Sequence, residues 1–231
     1  MTDLLFIKNR RDIVMASWMI HFRIADGIID CINNVDAEKF IVGNIGPDCG
    51  ELCEDGKTYR PLKYITHWKN PRNKKESLKD DFFLKYIANT SMSSDTSFYL
   101  GYYVHLLTDI LWKEDIYQPT KDKYLSEFDS EAEFNHKFKA DWGAVDHVFF
   151  EENPNFRALK IFNRILTFPN RYFDYYSDAA IESKITEISA VYSTISCNLD
   201  RKSCLNKEQA DSFVEKTIKE IKQDLSIKGV I

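Results

Sequence analysis

Proline is the strongest constraint on this chain, through where it is missing. Pro47, Pro61 and Pro71 fall in one irregular region, none occurs from 72 to 118, and none follows Pro169. Proline removes a backbone N–H and clashes with the preceding helical turn, so long spans without it favour helices. No strand-like alternation of useful length appears in those spans. The expected fold is therefore all-α: a multi-helix bundle of seven to nine helices, with residues 1–231 forming a single domain. Composition permits this. The chain is 44% hydrophobic and 14% aromatic, enough for a sizeable core and against disorder.

Apolar spacing locates the helices. Val14, Trp18, His21, Ile24, Ala25, Ile28 and Ile32 recur at helical intervals, predicting a first helix over about 12–33. A short helix is expected from Asp36. It leads into Gly43-Asn44-Ile45-Gly46-Pro47-Asp48-Cys49-Gly50, where three glycines and a proline make a tight turn with Asp48 on a stiff backbone. Residues 50–75 read as loop. Further helices are expected over 78–89, 96–112 (N-capped by Ser94 or Asp95), 126–149, 156–166, 177–196 and 207–225.

Charge and cysteine usage narrow the functional classes. The net charge of −5 argues against a nucleic-acid partner, which usually selects a basic surface. Five cysteines, with no zinc-finger spacing, indicate free thiols rather than a disulfide framework. Cys49 and Cys53 flank the Asp48 turn and are read as structural thiols. No run reaches transmembrane length, and Lys8, Arg10, Arg11 and Asp12 follow the apolar patch Leu4-Leu5-Phe6, whereas a secretory signal has its basic residues before the apolar stretch. The expected location is cytoplasmic; the oligomeric state is left open.

Five side chains carry the chemistry. His105 and Asp109, four residues apart, project from one helix face otherwise occupied by Phe98, Tyr102 and Trp112. His21 interrupts the apolar stripe of the first helix. Asp48 tips the Gly-Pro turn, and His67 sits beside Trp68. Each has an ordinary structural explanation: a buried His–Asp hydrogen bond, a core histidine, a turn aspartate, a surface histidine. Together they supply the imidazole and carboxylate ligands of a metal centre. The aromatic stretches 99–103, 149–150 and 172–176 fit either helix packing or a lipid or base pocket. The lysine-rich run 69–79 fits either a solvated loop or a surface that steers an anionic substrate.

The order and setting of these residues resemble a known family. The elements are Met19-Ile20-His21-Phe22-Arg23-Ile24-Ala25-Asp26, then Phe40-Ile41-Val42-Gly43-Asn44-Ile45-Gly46-Pro47-Asp48, then Thr66-His67-Trp68, and finally Leu100-Gly101-Tyr102-Tyr103-Val104-His105-Leu106-Leu107-Thr108-Asp109. Over about 15–150 the series is similar to the zinc-dependent phospholipase C family, related in fold to fungal single-strand-specific zinc nucleases. The resemblance implies a multinuclear zinc centre that activates water for attack on a phosphoester: a phospholipid head group or a small phosphodiester. It implies that Asp48, His67, His105 and Asp109 hold one Zn2+, and that His21 and a bridging Asp109 hold a second. Asp48 would also orient or deprotonate the water.

Two departures accompany the resemblance. Secreted members use a mature N-terminal tryptophan as a ligand, whereas here about twenty residues precede the His21 element and no signal peptide is recognised. The family's third zinc uses a histidine after the central helix and a later His-x-x-x-Glu; here Asp115 replaces the first, and His136 is followed four residues on by Ala140. Two zinc ions are therefore expected, with a third site degraded or remodelled and Asp141 as its best extra ligand. A nuclease-like phosphodiesterase, and a non-catalytic helical module with a structural His/Asp cluster, are the competing readings.

Overall fold

The computed structural model describes residues 15–55, 58–194 and 203–231. The chain is all-α apart from one two-stranded hairpin. Its first helix, α1 (Trp18–Ile29), is capped by Ser17, whose hydroxyl accepts from the Ile20 N–H. It starts later than expected, and residues 12–14 lie outside the described residues. Next, α2 (Ala37–Gly43) begins at the Asp36 cap, and a single 3-10 turn, Gly46–Asp48, follows.

The stretch expected to be all loop holds more. Strands β1 (Glu51–Leu52) and β2 (Tyr59–Arg60) pair antiparallel, with Glu51 opposite Arg60 and Leu52 opposite Tyr59. One helical turn, α3 (Lys63–Thr66), comes after them. Elements this short carry no periodicity that a sequence pattern can register.

Beyond that lie α4 (Lys79–Tyr86) and α5 (Ser94–Trp112), the latter capped by Ser93 rather than by Ser94 or Asp95. A π turn, Lys113–Tyr117, runs on into α6 (Gln118–Tyr124). That helix was not expected, because Pro119 reads as a break. Proline is tolerated in a first turn, where its missing N–H has no partner to lose. The remaining helices are α7 (Glu131–Glu152), α8 (Arg157–Phe162), α9 (Ala180–Thr194) and α10 (Lys207–Ile227). The ten α-helical segments among the described residues exceed the seven to nine expected, through the short α3 and the unexpected α6.

Helix α5 runs through the interior and is buried on nearly every side from Thr96 to Thr108. That explains why its sequence is apolar all round rather than striped. It lies against α2 backbone to backbone. A Cβ added at Gly43 would stand 2.0 Å from the Phe98 carbonyl oxygen, and one at Gly101 would stand 2.0 Å from that of Phe40. Only glycine permits this approach. Asn44 locks the pair, its side-chain N–H donating to the Gly101 carbonyl at 3.1 Å.

A continuous cluster of buried apolar residues extends from Ala16 to Leu225 and joins α1, α2, α5, α9 and α10. The aromatic stretches 99–103 and 172–176 belong to it: Phe98 stacks on Tyr172 at 3.7 Å, and Phe173 meets Tyr102 edge-on at 4.9 Å. Packing, not a pocket, accounts for these rings. Phe149 likewise packs on Phe156 and under the Arg23 guanidinium. Among the described residues no helix is long and apolar enough to cross a membrane. Cys31, Cys49, Cys53 and Cys204 are free thiols; Cys197 lies outside the described residues.

Candidate metal centre

Four separate parts of the chain deliver the five residues to one place. Helix α1 brings His21, the 3-10 turn brings Asp48, the residue ending α3 is His67, and α5 brings His105 and Asp109. Asp109 lies at the middle. Its Oδ1 is 3.4 Å from His21 Nε2, while its Oδ2 is 3.5 Å from both His67 Nε2 and His105 Nε2. Asp48 Oδ1 is 3.7 Å from His67 Nε2. The His21 and His105 rings stack at 3.8 Å with a 1° tilt.

Two overlapping groups result. His21, His105 and Asp109 offer ligand atoms within 4.8 Å of one another, and so do Asp48, His67 and His105. The Asp109 carboxylate thus turns one oxygen to each side.

The far side of each anchored ring shows what aims it. His105 Nδ1 lies 2.8 Å from the Asn44 carbonyl oxygen. His67 Nδ1 lies 3.1 Å from the Lys63 carbonyl oxygen and 2.9 Å from Thr66 Oγ1. A carbonyl can only accept, so each Nδ1 carries the proton and each Nε2 presents a lone pair to the centre. Tyr102 fixes this segment on α5 by donating its hydroxyl to the Thr66 carbonyl. The Nε2 atoms of His21, His67 and His105 are all buried and have no hydrogen-bond partner. Leaving buried polar atoms unpaired costs about 1–3 kcal/mol each. Three lone pairs facing two carboxylates fit a divalent cation such as zinc, and the donor set of imidazole and carboxylate is the one zinc takes.

A model of the zinc-dependent phospholipase C family matches residues 20–223. The chain belongs to this family. No curated protein and no solved structure gave a match. Family membership marks the chain as a metal-dependent phosphoester hydrolase in type, with His/Asp groups able to hold metal.

In this family member a short strap at residues 16–18 holds the carboxylates. The Ala16 N–H donates to Asp109 Oδ1 at 3.1 Å, and the Trp18 indole N–H donates to Asp48 Oδ2 at 2.9 Å. Ser17 between them donates its hydroxyl to Asp146 Oδ1 at 2.7 Å. Asp146, buried in α7, also accepts from the Tyr192 hydroxyl at 3.3 Å. Sequence reading missed Trp18, Ser17, Asn44 and Asp146. Asn44 lies within a quoted motif but acts through its backbone and amide, the other three lie outside the motifs, and only the tertiary contacts reveal these roles.

Charge in the centre is strongly coupled. Burial works against ionised Asp109, but His105 and His21 outweigh it, so its pKa falls well below the usual carboxylate range. The same contest at Asp48, between burial and the fields of His105, Lys63 and His67, also ends in a lowered pKa. Burial, aided by the His105 charge, lowers His21. At His67 burial dominates, pushing the pKa down to about 3. His105 goes the other way: burial opposes its charge, but Asp109 and then Asp48 raise its pKa. Asp146 stands apart, its pKa raised to about 7 by burial against the Ser17 and Tyr192 hydrogen bonds.

Asp141 is not drawn in. It belongs to neither metal-capable group, and its carboxylate accepts from Lys137 Nζ at 2.8 Å and from the Cys204 N–H at 2.6 Å. The structure does not bring this expected extra ligand to the other five: α7 turns the side chain toward the segment before the last helix. Further along α7, His147 and Glu151 pair with each other at 3.1 Å. Cys49, expected as a structural thiol, is buried with its Sγ 3.5 Å from the Ile45 carbonyl oxygen.

Proposed function

We propose that this chain hydrolyses phosphoesters of the phospholipase C type, working as one domain with zinc held by His21, Asp48, His67, His105 and Asp109. The observation that carries the reading is the convergence of three buried, unpartnered imidazole Nε2 atoms on two carboxylates. Asp48, His67, His105 and Asp109 would hold one ion, and His21 with the other oxygen of Asp109 a second. Zinc held there supplies Lewis acidity and positive charge, which activates water and stabilises charge on phosphoryl oxygens.

The protein's own groups prepare that chemistry. Asn44 and Lys63, through their carbonyls, keep the imidazoles in the tautomer that leaves Nε2 free to ligate. Residues 16–18 clamp one oxygen of each carboxylate and so fix where the other oxygen points. The depressed pKa of Asp48 makes it a weak proton acceptor. Its Oδ1 therefore orients water by accepting a hydrogen bond rather than by keeping the proton. We place the approach of substrate at a small depression beside Asp48, lined by Gly50, Tyr59, Pro61, Lys63 and Lys184. Lys63 at its rim brings positive charge suited to a phosphate, whereas Lys184 is paired with Glu187.

Elemental analysis of the purified chain should return about two zinc per molecule, the dinuclear arrangement common to metallophosphoesterases. Hydrolysis of phosphatidylcholine, a simple phosphodiester and single-stranded DNA should separate phospholipase, general phosphodiesterase and nuclease activity. In His105→Ala, metal content and hydrolysis should disappear together, with hydrolysis down at least ~1000-fold. Absence of metal, and unchanged stability after chelation, would instead mark the cluster as structural.

A further inference from the structure

Around the depression beside Asp48 the surface has an uncommon composition. Leu52, Leu62 and Ile65 are exposed aliphatic side chains at 53%, 43% and 38%. All three lie in the β1–β2–α3 unit that contributes Gly50, Tyr59, Pro61 and Lys63 to that depression. Leu62 caps α3 and Ile65 lies within it, and both are exposed.

The same segment is basic. From 60 to 75 the chain holds Arg60, Lys63, Lys69, Arg72, Lys74 and Lys75 and no carboxylate, within a protein of net charge −5. All but Lys63 are exposed. The turn that carries the last three folds back on α3, because the Lys69 N–H donates to the Tyr64 carbonyl at 2.9 Å and Lys74 Nζ sits 4.9 Å above the Tyr64 ring. Three of the nearby acids lie in the hairpin, where Glu51 faces Arg60 and Glu54 and Asp55 sit in the turn beyond the strands; Glu76, at the end of the basic turn, is engaged by the Asn70 side-chain N–H at 2.8 Å and leaves the cations in excess.

We infer that this face, β1–β2–α3 with the turn after it, docks the protein on an anionic lipid bilayer, with Leu62 and Ile65 entering the apolar boundary and the lysines and arginines meeting the head groups. Exposed aliphatic side chains ringed by cations match that boundary. A nucleic acid would satisfy the cations but leave the leucines and isoleucine without a partner. The inference rests on the proposed hydrolysis only for its purpose, which is to bring the depression beside Asp48 against a head group.

Sedimentation with vesicles tests it on the full chain. Vesicles of equal parts phosphatidylcholine and phosphatidylserine should bind the protein, salt should weaken the binding, and vesicles of phosphatidylcholine alone should bind it far less. Replacing Lys69, Arg72, Lys74 and Lys75 together by serine should lower the partition coefficient by about 100-fold or more. Leu62→Ser with Ile65→Ser should lower it by about 10-fold. His105→Ala should bind vesicles as the parent does while losing hydrolysis, which separates failure of docking from failure of catalysis. Equal binding to both vesicle types, binding retained by both surface variants, or capture of a single-stranded oligonucleotide in place of vesicles would each overturn the inference.

Discussion

The α2–α5 pair and the α1–α10 pair both bring glycine to a helix crossing, yet the two contacts differ in kind. Gly43 and Gly101 meet backbone carbonyls of the opposite helix, whereas a Cβ at Gly27 of α1 would meet only Ile218 Cδ1 of α10, at 2.3 Å. A carbonyl in a packed helix cannot withdraw; the tip of an isoleucine can turn to another rotamer. The rigid contact holds the metal centre, since the Asn44 carbonyl that aims His105 stands at the end of α2. The adaptable contact holds the C-terminal cover. Tolerance to change should therefore fall steeply from the last helix to the centre.

Gly101→Ala is the sharpest way to break the contrast. Its methyl group has nowhere to go, so the folded state should lose more than about 4 kcal/mol, or fail to form, in urea titrations. If it folds with less than about 1 kcal/mol lost, the two crossings tolerate an added Cβ alike.

Asp146 joins the two regions, with Ser17 on one side and Tyr192 of α9 on the other. Its pKa is raised to about 7 in the folded chain. Between the ordinary carboxylate value of 3.8 and about 7 the folded state keeps a proton that the unfolded state has released. Stability contributed by the protonated group is thus lost as pH rises through that window. Asp146→Asn stays neutral and should flatten the profile. The stability difference in its favour should grow to roughly 4 kcal/mol by neutral pH, read by denaturant unfolding along a pH series. A parent and a variant with parallel profiles would show that the carboxyl ionises normally.

Zinc should act on the rigid region. At a hundredfold excess over its dissociation constant it should add about 2.7 kcal/mol of stability, absent in His105→Ala. Because the pKa of His105 is raised in the metal-free cluster, a proton competes there, and zinc affinity should weaken as pH falls, starting at a higher pH than for an ordinary histidine ligand. Isothermal titration at several pH values checks this.

The smallest effects belong to the cover. Asn206→Ala removes one half of the capping box that Asn206 and Gln209 form at α10, for a loss of about 1 kcal/mol in thermal unfolding. Gly27→Ala should come out within about 1 kcal/mol of the parent, because gained helix propensity offsets the rearranged Ile218.

How far the sequence could be read follows the same division. Four of the five polar residues at the centre stood out because each interrupted an apolar face or tipped a stiff turn, His67 stood out only through the motif series, and the long helices announced themselves by spacing. The groups that aim those residues did not. Asn44 and Lys63 act through carbonyls, which every residue has, and Ala16 through an N–H. Asp141 and Asp146 lie five residues apart on α7 and are both buried among apolar neighbours. Spacing alone favoured the first, whereas the folded chain gives Asp146, not Asp141, to the strap beside the centre.

The single turn of α3 has two sides. Outward it presents Leu62 and Ile65; inward the Lys63 carbonyl and the Thr66 hydroxyl grip the imidazole of His67. The proposed docking face and the grip on a proposed zinc ligand thus share one turn of chain, and a substitution on its outer side should register at the His67 ring.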